Sequence, residues 1–106
     1  MPHTLPHWFL LGAGNMGTLA AWYLIRAGHG VTVIHSECPS PLEKTLWLPD
    51  GNQQSLSLPV LAPAALPDHI DHLLVAVKTP YTRQAMAPLT GRLDSTSQVL
   101  RFQNGI

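Results

Sequence analysis

The sequence predicts an α/β fold, a parallel sheet with helices on both faces, and three stretches carry that expectation. Residues 8–11 form a continuous apolar run that ends in a glycine turn, and a helix-like pattern opens straight after it. Residues 31–34, Val-Thr-Val-Ile, supply a β-branched run one helix later. Residues 70–77, Ile-Asp-His-Leu-Leu-Val-Ala-Val, supply a third strand after a polar start. Short apolar runs bounded by turn residues are what strands covered on both faces require. The 106 residues suffice for one modest domain and are too few for two.

Composition narrows the class. With 45% hydrophobic and 11% charged residues the chain is core-forming rather than disordered. Lys+Arg and Asp+Glu number 6 each, so no global field draws nucleic acid or an anionic membrane surface. Charge this scarce leaves little polar surface and predicts an apolar face meant for another contact. Cys38 is the single cysteine, which excludes an internal disulfide and a multi-cysteine metal site and fits a reducing compartment. No Lys or Arg precedes Arg26 to form a basic leader region. The apolar run at 8–11 is far shorter than the ~20 residues that span a bilayer. A cytoplasmic protein with no membrane and no nucleic-acid partner is the expectation.

In chain order, residues 1–7 read as a loose lead-in and 8–11 as the first strand. Gly12-Ala13-Gly14-Asn15-Met16-Gly17 follows, a G-x-G-x-x-G turn opening a helix over 15–27. Each glycine has a separate task. Gly12 permits the tight turn, Gly14 lets backbone approach a pyrophosphate, and Gly17 lets the helix pack close to the strand. The helix start adds unpaired N–H groups and partial positive charge for an anion. Leu19, Ala20, Tyr23, Leu24 and Ala27 recur at helical spacing and predict the face that presses on the sheet. Gly28 stops the helix. Strand, turn, helix and strand fit within residues 8–35, the length of a Rossmann-type dinucleotide-binding βαβ unit. The other reading is a βαβ unit whose glycines serve packing alone.

His35 and Ser36 stand where an NAD-type site presents an acid to the ribose 2′-hydroxyl. No acid occupies either position, which favours NADP(H) over NAD, although Glu37 follows closely. Both side chains can donate to a 2′-phosphate, and both equally suit the start of a surface loop. Residues 36–42 read as loop, with Cys38 as filler. Residues 45–48 and 54–58 flank Pro49-Asp50-Gly51-Asn52 and predict a β-hairpin. Residues 59–67 predict one more short strand or turn. His69 and His72 are three residues apart, but a strand with no third ligand nearby does not predict a metal site.

Lys78 closes the strand over 70–77, and ligands of open α/β sheets bind at the carboxyl ends of strands; the other reading is a lysine that flanks a strand to stay in water. Thr79 as N-cap and Pro80 at the first helical position predict a helix through Ala87, which Pro88 interrupts before a last turn up to Leu93. Residues 97–102 predict a final strand running into Gln103-Asn104-Gly105. Asn104 thereby stands at a strand's carboxyl end like Lys78. Arg101 is unexpected in a strand buried on both sides and needs a partner or an exposed face.

Three signals align: G-A-G-N-M-G after the first strand, V-A-V-K-T-P after an inner strand, and Q-N-G-I after the next. Together they resemble the N-terminal domain of the ketopantoate reductase (2-dehydropantoate 2-reductase) family, and the intervening hairpin is similar too. The resemblance covers nearly the whole chain but only the first third of a family member. It implies that residues 1–106 form the NADP-binding Rossmann-type domain of a longer, two-domain, NADPH-dependent enzyme that reduces ketopantoate in pantothenate synthesis. It implies that residues 12–17 hold the pyrophosphate and that Lys78 lies near ribose and nicotinamide. Asn104 would position nicotinamide and the 2-keto acid substrate. The family's general-acid lysine and hydroxyl-binding carboxylate belong to a helical second domain and are absent from these residues. Many members carry an arginine for the 2′-phosphate where this chain has Ser36.

Two alternatives stay open: a Rossmann dehydrogenase for another 2-keto or 3-hydroxy acid, and a non-enzymatic nucleotide-sensing module. Lacking the second domain, the 106-residue chain is expected to bind dinucleotide weakly, to self-associate through an exposed sheet edge, and not to turn over ketopantoate. NADPH oxidation in the presence of ketopantoate checks the last point. Turnover by the purified chain at the rate of a full-length relative would defeat it.

Overall fold

The computed structural model describes residues 6–12, 14–37, 40–77 and 81–101. Five parallel strands form one sheet in the order β5-β2-β1-β6-β7. These are β1 (His7–Leu11), β2 (Gly30–Ile34), β5 (Val60–Leu61), β6 (His72–Val75) and β7 (Gln98–Arg101). The helix α1 (Asn15–Arg26) crosses from β1 to β2. A separate antiparallel hairpin, β3 (Leu42–Trp47) with β4 (Gln53–Leu58), is inserted between β2 and β5. The short α2 (Thr82–Met86) and a 3-10 segment, Ala87–Arg92, connect β6 to β7. From β1 the chain first steps to one side, through β2 and β5, and then crosses to β6 on the other. The strand order therefore reverses beside β1, the topological switch point at which such sheets form a ligand crevice.

Period-two side-chain alternation divides the core between the two faces of the sheet. Trp8, Leu10, Val31, Val33, Val60 and Leu74 point toward α1 and the hairpin, where they pack with Ala21, Trp22, Leu46, Leu56 and Leu58. Leu11, Ile34, Leu73 and Val75 point the other way and meet Leu66, Ile70 and Leu89. Register fixes the rows: Val33, Leu10, Leu74 and Leu100 lie side by side across four strands.

The face of α1 that presses on the sheet matches the periodicity reading at Leu19, Ala20 and Leu24, which pack against the core, and departs from it at Tyr23 and Ala27. Gly17, Thr18, Ala21 and Trp22 are buried, Leu19, Ala20 and Leu24 are half-buried, and Tyr23 is 57% exposed. Ala27 is also exposed and caps the helix instead of continuing it. The reason is separation. Gly17 and Ala21 are small enough to bring the helix down on the sheet beside the buried Trp22, and that orientation turns Tyr23 outward. Leu19, Ala20 and Leu24 then line an apolar groove with Leu74 and Leu100. The hairpin is longer than expected on its first arm, starting at Leu42, and its turn matches: Gly51 has φ +90°, and Asn52 N–H donates to Asp50 Oδ1 at 3.0 Å. The inner strand is shorter than expected, four residues rather than eight. Tyr81 is the N-cap of α2; the expected start at Thr79 and Pro80 lies outside the described residues. β7 is exposed along its whole length, so Arg101 meets solvent and the expectation of burial on both sides fails.

Two polar clusters tie the amino-terminal ends of the strands. His7 Nε2 lies 2.7 Å from Thr32 Oγ1, and the imidazole packs edge-on to Phe9 with its Nδ1 over Gly30. Between β6 and β7, Asp94 accepts from Thr96 N–H (2.8 Å) and Thr96 Oγ1–H (2.6 Å), while Ser97 Oγ–H donates to the Ile70 carbonyl at 2.6 Å. The hydrogen bonds from Thr96, first, and the nearby His69 hold the Asp94 carboxyl below its ordinary value of 3.8. That contribution is present above pH 3.8 and is lost as pH falls through the lowered value.

Partial burial over Gly30 lowers the His7 pKa below 6.5. The unfolded chain therefore takes up the proton first, and stability falls as pH drops from 6.5 toward the lowered value, then levels off. Urea titrations between pH 7.5 and 5 are expected to show this decline, and His7→Gln is expected to flatten it. An unchanged slope in the variant would remove His7 from the account.

Candidate nucleotide-binding site

The turn after β1 is seated on the end of β6. Gly12 has φ +92°, a conformation that L side chains rarely adopt. A Cβ placed there would stand 2.8 Å from Val77 Cγ1 and 2.9 Å from the Ala76 carbonyl carbon. The ladder continues beneath it, with Ala76 N–H donating to the Leu11 carbonyl at 2.8 Å. Gly17 is held as closely. A Cβ on it would run into the Gly12 carbonyl oxygen and come within 3.1 Å of Ala76 Cβ and 3.3 Å of Leu10 Cδ1.

Gly14 is different. Its φ of −74° suits any residue, and nothing lies within 4 Å of where its Cβ would be. The protein's own packing does not require glycine there, whereas a ligand approaching the backbone would. Gly14 is the N-cap of α1, and the first intrahelical bond runs from Thr18 N–H to its carbonyl at 2.9 Å. The N–H groups of Asn15, Met16 and Gly17 thus open the helix without intrahelical partners. The N-cap provides no side-chain hydrogen bond, and the first turn contains no acid to compete for that positive end. Met16 is 49% exposed beside the turn. Ala13 lies outside the described residues.

A cleft of about 460 Å³ opens at the carboxyl ends of β1 and β2, within the usual size range for small-molecule sites. Gly12 and Val77 line it together with His35 and Ser36, so the structure brings the glycine turn and the end of β2 to one place. Glu37 N–H donates to His35 Nδ1 at 3.0 Å, which puts the proton of the neutral ring on Nε2. Gln84, from α2, also lines this cleft and was missed in the sequence. Its only signal there was a polar residue on a short helix after a strand, and that places no residue in a site without the tertiary fold. Lys78 and Asn104 lie outside the described residues. Val77, which precedes Lys78 in sequence, is the lining residue nearest to it in the chain.

A larger hollow, about 530 Å³, lies between α1 and the hairpin, lined by Tyr23, Lys44 and Trp47 among others. It is away from the strand ends, and only Met16 links it to the glycine motif. His69 and His72 do not converge. His69 contacts Asp71 at 2.7 Å and Asp94 at 3.4 Å, whereas His72 stacks on Trp8 with ring centroids 4.9 Å apart. Among the described residues no group of three His, Cys, Asp or Glu is placed to hold a metal ion, and no helix is long and apolar enough to cross a membrane.

Comparisons with known proteins agree with this geometry. A ketopantoate-reductase-like protein from Ralstonia solanacearum matches with a TM-score of 0.72 at 26% identity, over 97% of this chain and 33% of its own. The dimeric ketopantoate reductase of Staphylococcus aureus matches at 0.68 and 23%, over 93% of this chain and 34% of its own. A D-mandelate dehydrogenase in ternary complex with NADH and anilino(oxo)acetate matches at 0.71 and 19%, over 94% and 34% respectively, a likeness of fold. The chain spans about a third of the length of these solved relatives. The family model described as Ketopantoate reductase PanE/ApbA matches residues 8–106, and the chain accordingly belongs to the ketopantoate reductase family.

Proposed function

We propose that residues 1–106 are the cofactor-binding part of an NADP(H)-dependent 2-dehydropantoate 2-reductase, a two-domain enzyme that reduces a small 2-keto acid. The observation that carries this reading is the division of labour among the glycines. Gly12 and Gly17 are glycine because neighbouring atoms leave no room. Gly14 is surrounded by open space, as a site that receives a diphosphate requires.

The residues at hand fit the cofactor. Backbone amides from Gly14 to Gly17 would take the pyrophosphate, with Ala13 completing the turn. His35 and Ser36 would donate to the 2′-phosphate, and the lack of an acid among the described residues that line the cleft supports NADP(H) over NAD. Lys78 and Asn104 are proposed, on the family resemblance, to face ribose, nicotinamide and substrate. The bound nicotinamide supplies the hydride; these residues of the chain hold and orient. The acid that protonates the product oxygen is assigned by the same resemblance to the second domain. The exposed β7 edge is proposed as the surface through which the isolated chain self-associates.

A glycine series with NADPH titration tests the core of this reading. Gly12→Ala and Gly17→Ala are each expected to cost about 1–3 kcal/mol of stability by strain and overpacking. Gly14→Ala is expected to stay within about 1 kcal/mol of wild type, yet to lose NADPH binding. In nitrogen-15 NMR spectra of the wild-type chain, NADPH should move the amide signals of Gly12, Gly14 and Gly17 more than NADH does. Amides that stay still at saturating NADPH, or a Gly14→Ala variant that binds normally, would remove the proposal.

A further inference from the structure

The hollow between α1 and the hairpin holds a charge that nothing in the fold answers. Lys44 lies on the side of β3 that faces α1, in a row with Leu42 and Leu46, and its cross-strand neighbour is the buried Leu56. Leu42, Leu46, Leu56 and Leu58 pack into or against the core from this side, and Lys44 stands among them half-buried. The hairpin's own acids are turned to other partners. Glu43, on the opposite side of β3, accepts from Ser57 Oγ–H at 3.1 Å. Asp50 accepts from the backbone N–H and the side-chain amide of Asn52, each at 3.0 Å. Among the described residues Lys44 has no carboxylate partner, and none of those lining the hollow is acidic.

A lysine so placed lays its stem along the apolar face and carries its ammonium into open space, here the hollow of about 530 Å³. Leu19 from α1 and Leu46 and Leu48 from the hairpin supply aliphatic walls around it. A concave space of small-molecule size, with aliphatic walls and one cation, is complementary to a compact monoanion with an apolar body. A phosphate dianion suits it less, because it brings more charge than one lysine answers and more oxygens than the walls have donors for. We propose that this hollow is a second ligand site, for a small organic carboxylate that pairs with Lys44 and rests its apolar body on the leucines. The site stands apart from the cleft at the strand ends, and the inference does not depend on the dinucleotide reading.

The probes are isovalerate and phenylacetate, each set against its neutral primary amide. In NMR spectra of the wild-type chain the carboxylates should move the backbone amide signals of Leu19, Lys44 and Leu46 and leave those of Gly12 and His35 in place. Each carboxylate should bind about tenfold more tightly than its amide, the size of one charge-assisted hydrogen bond. Lys44→Met should lose that margin and unfold at no lower urea concentration than wild type, since methionine suits a leucine-lined face. Lys44→Arg should keep the margin. Equal binding of acid and amide by the wild-type chain, or a margin that survives in Lys44→Met, removes Lys44 as the anion's partner and overturns the proposal. The comparison of acid with amide needs no variant, so it decides even where Lys44→Met fails to fold. Signals that stay still up to the solubility limit of both carboxylates overturn the site itself. Shifts confined to Gly12 and His35 place the anion in the cleft instead and overturn it as well.

Discussion

The contact on which the rest of the structure depends is the seating of the first glycine turn against the end of β6. Gly12 lies on the Ala76–Val77 peptide, and Gly17 lies on the Gly12 carbonyl and on Ala76. Those two contacts join three things that are distant in sequence: the end of β1, the start of α1 and the carboxyl end of β6. With them in place, α1 must run back over β1 and β2, and the crevice must open where the strand order reverses. A side chain at either glycine would meet atoms of β6 or of the turn itself and lift the helix start from the sheet. On our proposal, the same small residues that seat the turn also present the first amides of α1 to the diphosphate.

Much of this was legible in the sequence. A glycine turn between an apolar run and a helical pattern is a local signal, and the strand, turn, helix and second strand fall where the pattern put them. Pro49-Asp50-Gly51-Asn52 is likewise local, and Gly51 takes the positive φ that such a turn needs. The helix face was misread in part, at Tyr23 and Ala27, because hydrophobic periodicity does not weigh how closely a helix can approach the sheet. Here the closest approach is made by Gly17 and Ala21, which contribute little to an apolar count. Tyr23 is turned outward by a constraint that belongs to β6, some fifty residues away, while Leu24 keeps its contact with the core. Gln84 was missed for the same reason, since only the packing of α2 brings its side chain to the end of β2.

The half of α1's sheet face over β6 and β7 shows what the fold leaves open. Leu74 is buried and Leu100 is 47% exposed, although they are paired neighbours in one row. The groove between that row and α1 is walled by aliphatic side chains. Two strands at about 4.8 Å spacing are nearly as wide as one helix at its usual 8–10 Å packing distance. The scarcity of charge and this apolar groove are thus two views of one property, a sheet with more apolar face than its own helices cover.

On our proposal, the cofactor preference turns on two residues of opposite character that sit two positions apart. Glu37 carries the charge that would repel a 2′-phosphate, and His35 carries a donor that would attract one. Their backbone arrangement separates them. The Glu37 amide folds back to donate to His35 Nδ1, which fixes the neutral ring with its proton on Nε2. His35 lines the cleft and Glu37 is not among its lining residues. A single imidazole N–H holds a phosphate oxygen less strongly than the paired donors of an arginine. On our proposal, then, this chain discriminates NADP(H) from NAD chiefly by keeping its one nearby carboxylate out of the cleft. The discrimination is expected to be smaller than in relatives that place an arginine at the position of Ser36.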